Sequence, residues 1–206
     1  AVVHKDFEQL PRMFPQAKYI HLIRDPRDVA YSVVKMGWAS DVVSGVQRWF
    51  EAEGSWEWLK SGLEPSMTLE VHFEDLVTHP EDSLARICSF LEVPYAKEML
   101  EYHQSSSYDK PNGSISHAWK QRLSLKELGR LEYVLGDKLE RSGYQPSGVE
   151  KVKPSSFFSW NLPLQDWVAR FKHRRKIYGS FLLLEDFIAR KTGFSKALSQ
   201  RLQQRM

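Results

Sequence analysis

One short segment constrains the fold more than any other. The β-rich apolar run Tyr19 to Ile23 is followed at once by Arg24-Asp25-Pro26-Arg27-Asp28 and then by a helical pattern. The run has the length and composition of a buried strand. Asp25 before Pro26, with Asp28 close behind, reads as an N-cap, a proline in the first turn and an acidic first turn. The segment therefore predicts a strand over Tyr19–Ile23 and a helix from Pro26 to about Lys35. On that helix Val29, Ser32, Val33 and Met36 share one face, which is expected to cover the strand.

The pattern then repeats. A second helix is expected over Val42 to Lys60, carrying Val46, Trp49, Phe50, Trp56 and Leu59. Met67 to Phe73 reads as a second strand, followed by Glu74-Asp75-Leu76. From Pro80, the spacing of Leu84, Ile87, Cys88 and Leu91 predicts an amphipathic helix. Strand, helix, strand, helix in this order argues for an α/β fold built on a parallel sheet. Ser105 to Ser116 reads as a polar loop. Beyond it, Ser124 and Glu127 form a capping-box pair opening a helix that is expected to stop at Ser142-Gly143.

Charge divides the chain where this pattern ends. Residues 1–150 carry 17 Lys/Arg against 23 Asp/Glu, a net −6, whereas residues 151–206 carry 12 against 3, a net +9. The turn-rich Gln145-Pro146-Ser147-Gly148 lies at the boundary. The expected organisation is an α/β domain over residues 1–145, a linker over 146–158 and a basic helical tail over 159–206. Cys88, the single cysteine among 206 residues, excludes an internal disulfide framework and fits a reducing compartment. No apolar run approaches the roughly 18 residues of a membrane-spanning helix. The chain opens without a secretory signal pattern, and a cytoplasmic location is expected.

Arg24 stands where a strand gives way to a helix, the edge of an open α/β sheet at which ligands bind. Its fork of donors suits a phosphate. Ser32, two turns into the helix, would place a hydroxyl on the apolar side where it needs a partner, which a phosphate held by Arg24 could supply. On spacing alone, a structural alternative stays open: Arg24 paired with a nearby carboxylate such as Asp28, and Ser32 bonded back to its own helix. Glu74 and Asp75, directly after a strand, are expected to orient the following turn and are assigned no chemistry.

The segment from Phe14-Pro15-Gln16-Ala17-Lys18 through Arg24-Asp25-Pro26-Arg27-Asp28-Val29-Ala30-Tyr31-Ser32 resembles the 3′-phosphate-binding segment of sulfotransferases that use 3′-phosphoadenylyl sulfate (PAPS). Val71-His72-Phe73-Glu74-Asp75-Leu76, with His79-Pro80 and Ile87 to Leu91, is similar to that family's second shared stretch. Gly113 and Trp119-Lys120 extend the likeness more weakly. The resemblance implies a P-loop-like fold, here with an incomplete parallel sheet and flanking helices. It also implies transfer of a sulfuryl group from PAPS to an acceptor hydroxyl or amine, without a metal. It implies that Arg24 and Ser32 hold the 3′-phosphate and that Phe73 offers a stacking face near the adenine, although a core aromatic at a strand end reads equally well there. Lys120 and Arg122 resemble a late lid with a second basic contact, against a default of solvated surface charge. His4 is the candidate general base, with a position upstream of residue 1 as the competing location.

The family's Lys-Ser-Gly-Thr-like 5′-phosphosulfate loop has no counterpart in these residues, so the resemblance implies the C-terminal portion of a longer enzyme. The rival expectation is a non-catalytic nucleotide- or partner-binding module with a basic docking tail. That tail, with Arg170, Lys172, Arg174, Arg175 and Lys176 beside Trp160, Trp167, Phe171 and Tyr178, suits packing on the acidic domain, and peripheral membrane or partner contact stays open. No nucleic-acid motif is present. The acceptor and the oligomeric state are not legible.

Overall fold

A computed structural model describes residues 9–104, 113–155, 164–173, 175, 176 and 179. A short helix, α1 (Leu10–Met13), precedes β1 (Tyr19–Ile23), and α2 (Pro26–Lys35) follows as the sequence predicts. The side chain of Asp25 caps α2 by accepting from the Arg27 backbone N–H at 2.9 Å. Next come α3 (Val42–Gly45), α4 (Gln47–Ser61) and β2 (Thr68–His72). After them lie α5 (Phe73–Thr78), α6 (Pro80–Leu91), α7 (Trp119–Arg122), α8 (Leu125–Leu135) and α9 (Lys138–Arg141). β1 and β2 pair in parallel, from Tyr19 opposite Thr68 to Ile23 opposite His72, and form a two-stranded sheet among the described residues. The α/β expectation holds at that level.

The core lies on one side of β1. Ile23, Ala30, Val42, Val46 and Trp49 share one buried cluster with Leu131, Leu135, Leu139 and Tyr144, in which α3 packs on α2, α4 and α8. The capping box that opens α8 is present, with Ser124 and Glu127 each bonding the other's backbone N–H.

Four local expectations are corrected. The helix expected over Val42 to Lys60 is interrupted at Val46. There α3 lies so close to α2 that a Cβ on Gly45 would come within 2.8 Å of the Ala30 carbonyl oxygen. The helix expected to run on to Ser142 ends at Gly136, which takes φ +59° before α9 begins. β2 stops at His72 rather than Phe73, because the turn expected at Glu74-Asp75-Leu76 is a helix, α5, that begins at Phe73 and carries Glu74 inward to two hydrogen bonds. The face of α2 that packs inward carries Arg27, Ala30 and Val33, whereas Met36 is 46% exposed and Ser32 is half-buried. The sequence also gave no sign of the 3-10 turn over Lys97–Gln104.

Of the basic tail, residues 164–173 are helical and touch the domain. Asp166 accepts from the Ser40 N–H (2.7 Å), the Ser40 hydroxyl (2.6 Å) and the Ser44 hydroxyl (2.9 Å). An acidic tail residue makes this seam, while Arg170, Lys172, Arg175 and Lys176 point to solvent. Among the described residues no helix is long and apolar enough to cross a membrane.

Candidate nucleotide site at the end of the first strand

The site is built around the five residues Arg24 to Asp28, which fold into two layers. The inner layer is structural. Asp25, Arg27, Asp28, Glu74 and Glu132 are all buried, a placement that charged groups adopt only when paired. Arg27 grips Asp25 through two parallel bonds (Nε to Oδ1, 2.9 Å; Nη2 to Oδ2, 2.8 Å) and donates to Glu132 at 2.8 Å and to the Gln145 carbonyl at 3.0 Å. Its guanidinium lies 3.8 Å from the Trp119 ring centroid, in the geometry of cation–π stacking. Trp119 in turn donates its indole N–H to Asp25 (2.9 Å) and its backbone N–H to Asp28 (2.8 Å). Glu74 accepts from the Asp25 backbone N–H at 3.0 Å and from the Tyr144 hydroxyl at 2.9 Å. Burial, and then the neighbouring Glu74 carboxylate, push the Tyr144 phenol far above its ordinary range, so this hydroxyl is a fixed donor. Glu74, expected to orient the turn after β2, instead turns its carboxylate inward and ties the Asp25 backbone to Tyr144.

Asp28 is less fully compensated, by the Trp119 and His117 backbones and the nearby Arg24 charge. One oxygen accepts from Trp119, and Oδ2 is buried without a hydrogen-bond partner among the described residues. Burial raises its pKa above the ordinary carboxylate value, against the lowering influence of Trp119 and Arg24. A carboxyl whose folded pKa is raised binds more protons in the folded than in the unfolded chain across that interval, so its ionisation removes stability as pH rises. Asp28→Asn keeps an acceptor for Trp119 and removes the charge. It is expected to unfold at equal or higher urea concentration than the parent at pH 7, the advantage vanishing near pH 3. A variant less stable by more than about 1 kcal/mol at pH 7 would show that the charge itself holds the site together.

The outer layer faces a cleft of about 690 Å³. Arg24, Ser32 and Phe73 all line it, so three of the residues singled out in the sequence converge. The Arg24 guanidinium stacks on the Phe73 ring at 4.3 Å and donates through Nη2 to the Ile115 carbonyl at 2.8 Å, while its Nε is buried without a hydrogen-bond partner among the described residues. The alternative pairing of Arg24 with Asp28 is not formed: no ion pair joins them, and Asp28 takes Trp119 instead. Nor does the Ser32 hydroxyl bond back to its helix; it has no hydrogen bond among the described residues. The rest of the cleft is largely apolar, walled by Ile20, Leu22, Met36, Trp38, Trp49 and Trp56, with the His21–Glu53 pair (3.3 Å) as its polar interruption.

Lys120 and Arg122 are exposed on α7 and do not line the cleft; the Lys120 amine sits 5.6 Å from the Trp119 ring. His4 lies outside the described residues. Sequence reasoning missed Arg27, Trp119 and Glu132. The signal available for the first was a second arginine just after the Asp25 N-cap, between two aspartates at a strand-to-helix junction. Nothing local marked Glu132, which meets Arg27 only through the tertiary fold. Among the described residues no group of three or more His, Cys, Asp or Glu side chains is arranged to hold a metal ion.

Comparison with known proteins bears on the same elements. Residues 2–97 match a model described as the sulfotransferase family. A putative protein-tyrosine sulfotransferase of Caenorhabditis briggsae is 30% identical over 101 residues, 46% of this chain and 36% of its own length. Protein-tyrosine sulfotransferase A of Caenorhabditis elegans is 26% identical over 158 residues, 67% of this chain and 42% of its own. The chain spans between about a fifth and two fifths of the length of these curated sulfotransferase relatives. Among solved structures, the sulfotransferase domain from the curacin biosynthetic pathway superposes with a TM-score of 0.52 at 22% identity, covering 62% of this chain and 54% of that one, a likeness of fold. The matched stretch, residues 2–97, contains β1, α2, β2 and the Arg24, Ser32 and Phe73 side chains of the cleft, and it is this part of the chain that is similar to the sulfotransferase family.

Proposed function

We propose that this chain carries the nucleotide 3′-phosphate site of a sulfotransferase that uses PAPS as sulfuryl donor. One observation carries the reading. Arg24 and Ser32, two turns apart on consecutive elements, open onto the same cleft beside an aromatic face, with one guanidinium N–H and one hydroxyl left without a hydrogen-bond partner among the described residues. A phosphate has the oxygens to satisfy both. The donor suits these residues, and when bound it supplies the activated sulfuryl group. In such a transfer the S–O bond to the donor's phosphate would break as sulfur bonds the acceptor oxygen or nitrogen, adenosine 3′,5′-bisphosphate would leave, and the acceptor's proton would pass to a base. Arg24 and Ser32 fix one end of the nucleotide, and Phe73 keeps the guanidinium flat and offers its edge to the base. They contribute position, which an in-line transfer depends on, and take no part in bond making.

The names of the relatives suggest a tyrosine hydroxyl as acceptor, and we adopt it as the acceptor class to assay first.

The test is calorimetric titration with adenosine 3′,5′-bisphosphate. Arg24→Ala is expected to weaken binding at least about 30-fold, the loss of a charged, two-point phosphate contact, and Ser32→Ala roughly threefold to tenfold. ATP, which lacks a 3′-phosphate, is expected to compete poorly. Equal affinity for ATP, or full affinity in Arg24→Ala, would move the reading to a nucleotide module of another kind.

A further inference from the structure

We infer that the helix at residues 164–173 is a docking face for an anionic lipid bilayer, lying in the membrane surface on Leu164, Trp167 and Phe171 while its opposite side stays fixed to the domain. The inference goes beyond the nucleotide site and stands whether or not that reading holds. A helix on a protein surface ordinarily turns its apolar stripe inward and its polar side to water. This one is seated the other way round. Asp166 accepts from Ser40 and Ser44, and His173 lies so close over Gly37 that a Cβ there would collide with the imidazole ring. Half-buried Ala169 lies between them on the same side. At about 100° per residue, the face made by Leu164, Trp167 and Phe171 points roughly 160° away from that seam.

The outward face is apolar and open. Leu164, Trp167 and Phe171 follow the i, i+3, i+7 spacing of one helix side and are 63%, 61% and 48% exposed. The rings of Trp167 and Phe171 stack at 5.9 Å and 13°, so they present one flat surface. Such a surface in water is a cost that a partner would relieve.

Charge says which partner. Arg170 and Lys172, both exposed, flank the apolar face, one along each edge, and exposed Arg175 and Lys176 follow. Residues 151–206 carry a net +9 against −6 for residues 1–150, so an anionic surface attracts the tail and repels the domain. An acidic protein or a nucleic acid would answer the cations and leave three large apolar side chains against polar groups. A bilayer surface answers both: anionic headgroups take the guanidinium and ammonium tips, and the acyl boundary takes the leucine and the two rings.

Co-sedimentation of the whole chain with vesicles tests this. Binding is expected to 3:1 phosphatidylcholine:phosphatidylserine vesicles, and to be at least about tenfold weaker to phosphatidylcholine alone or in 0.5 M salt. Trp167→Ala with Phe171→Ala is expected to weaken binding to the mixed vesicles at least about tenfold, and Arg170→Gln with Lys172→Gln roughly tenfold. These four side chains are exposed and none lines the cleft, so the variants are expected to keep the parent's circular dichroism spectrum. Leu125→Ala, which removes an apolar side chain 73% exposed on α8, is the control expected to bind as the parent does. No association with the mixed vesicles overturns the inference, as does equal binding by the Trp167/Phe171 variant. Equal binding to both vesicle types overturns the anionic requirement. A dimer in analytical ultracentrifugation that the Trp167/Phe171 variant abolishes, without vesicle binding by the parent, reassigns the face to a second copy of the chain.

Discussion

Arg27→Ala is expected to lower folding stability by about 3–5 kcal/mol, the range found when one partner of a buried ion pair is deleted. The Arg27 side chain is 3% exposed, and those of Asp25 and Glu132 are 0% and 1%. Without the guanidinium both carboxylates stay buried, Asp25 keeping the Trp119 indole and the Arg27 backbone N–H, Glu132 keeping the Ser147 N–H. Against a total of about 5–15 kcal/mol for a domain, such a loss leaves a chain that is partly unfolded at 37 °C. Urea unfolding followed by circular dichroism measures it, and a deficit under about 1 kcal/mol would mean that water reaches the carboxylates. Arg27→Lys is expected to recover less than half, because an ammonium cannot bond both Asp25 oxygens and Glu132 at once or lie flat on the indole.

Trp119→Ala is expected to cost about 3–5 kcal/mol as well, since a buried indole leaves a cavity and unpairs a bond to Asp25. Trp119→Phe retains most of the ring over Arg27 and forfeits the N–H, and about 1–2 kcal/mol is expected. Arg27 and Trp119 share Asp25 and touch each other, so the double alanine variant is expected to lose less than the sum of the single losses by 1 kcal/mol or more. Strict additivity would show that the two residues act in separate networks.

Local chemistry made part of this legible beforehand. Tyr19–Ile23 and Pro26–Lys35 were readable because their boundaries are set by Asp25 and Pro26, residues whose backbone preferences act without help from the rest of the chain. The α8 capping box is local in the same way. The inward face of α2 was misassigned because hydrophobic periodicity assumes that charged residues face water, and here Arg27 and Asp28 go inside while Met36 does not. The break at Val46 depends on the close approach of Gly45 to Ala30, a contact between elements that no window of sequence contains. Arg24, Ser32 and Phe73 could be named as candidates from motif resemblance. Their convergence on one cleft, and the hold of Ile115 on Arg24, needed three-dimensional placement.

The two arginines of the junction differ in what a distant anion would feel. The charge of Arg27 is cancelled within 3 Å by Asp25 and Glu132, and Asp28 and Glu74 are buried in the same neighbourhood. Around the site, two guanidinium groups therefore stand among four carboxyl groups, and the junction by itself offers a dianion no long-range attraction. On the proposed reading, nucleotide capture is expected to rely on short-range fit, with an association rate in the ordinary range of about 10⁵–10⁷ M⁻¹s⁻¹ that changes little with salt. Selectivity on that reading resides in how long the nucleotide stays.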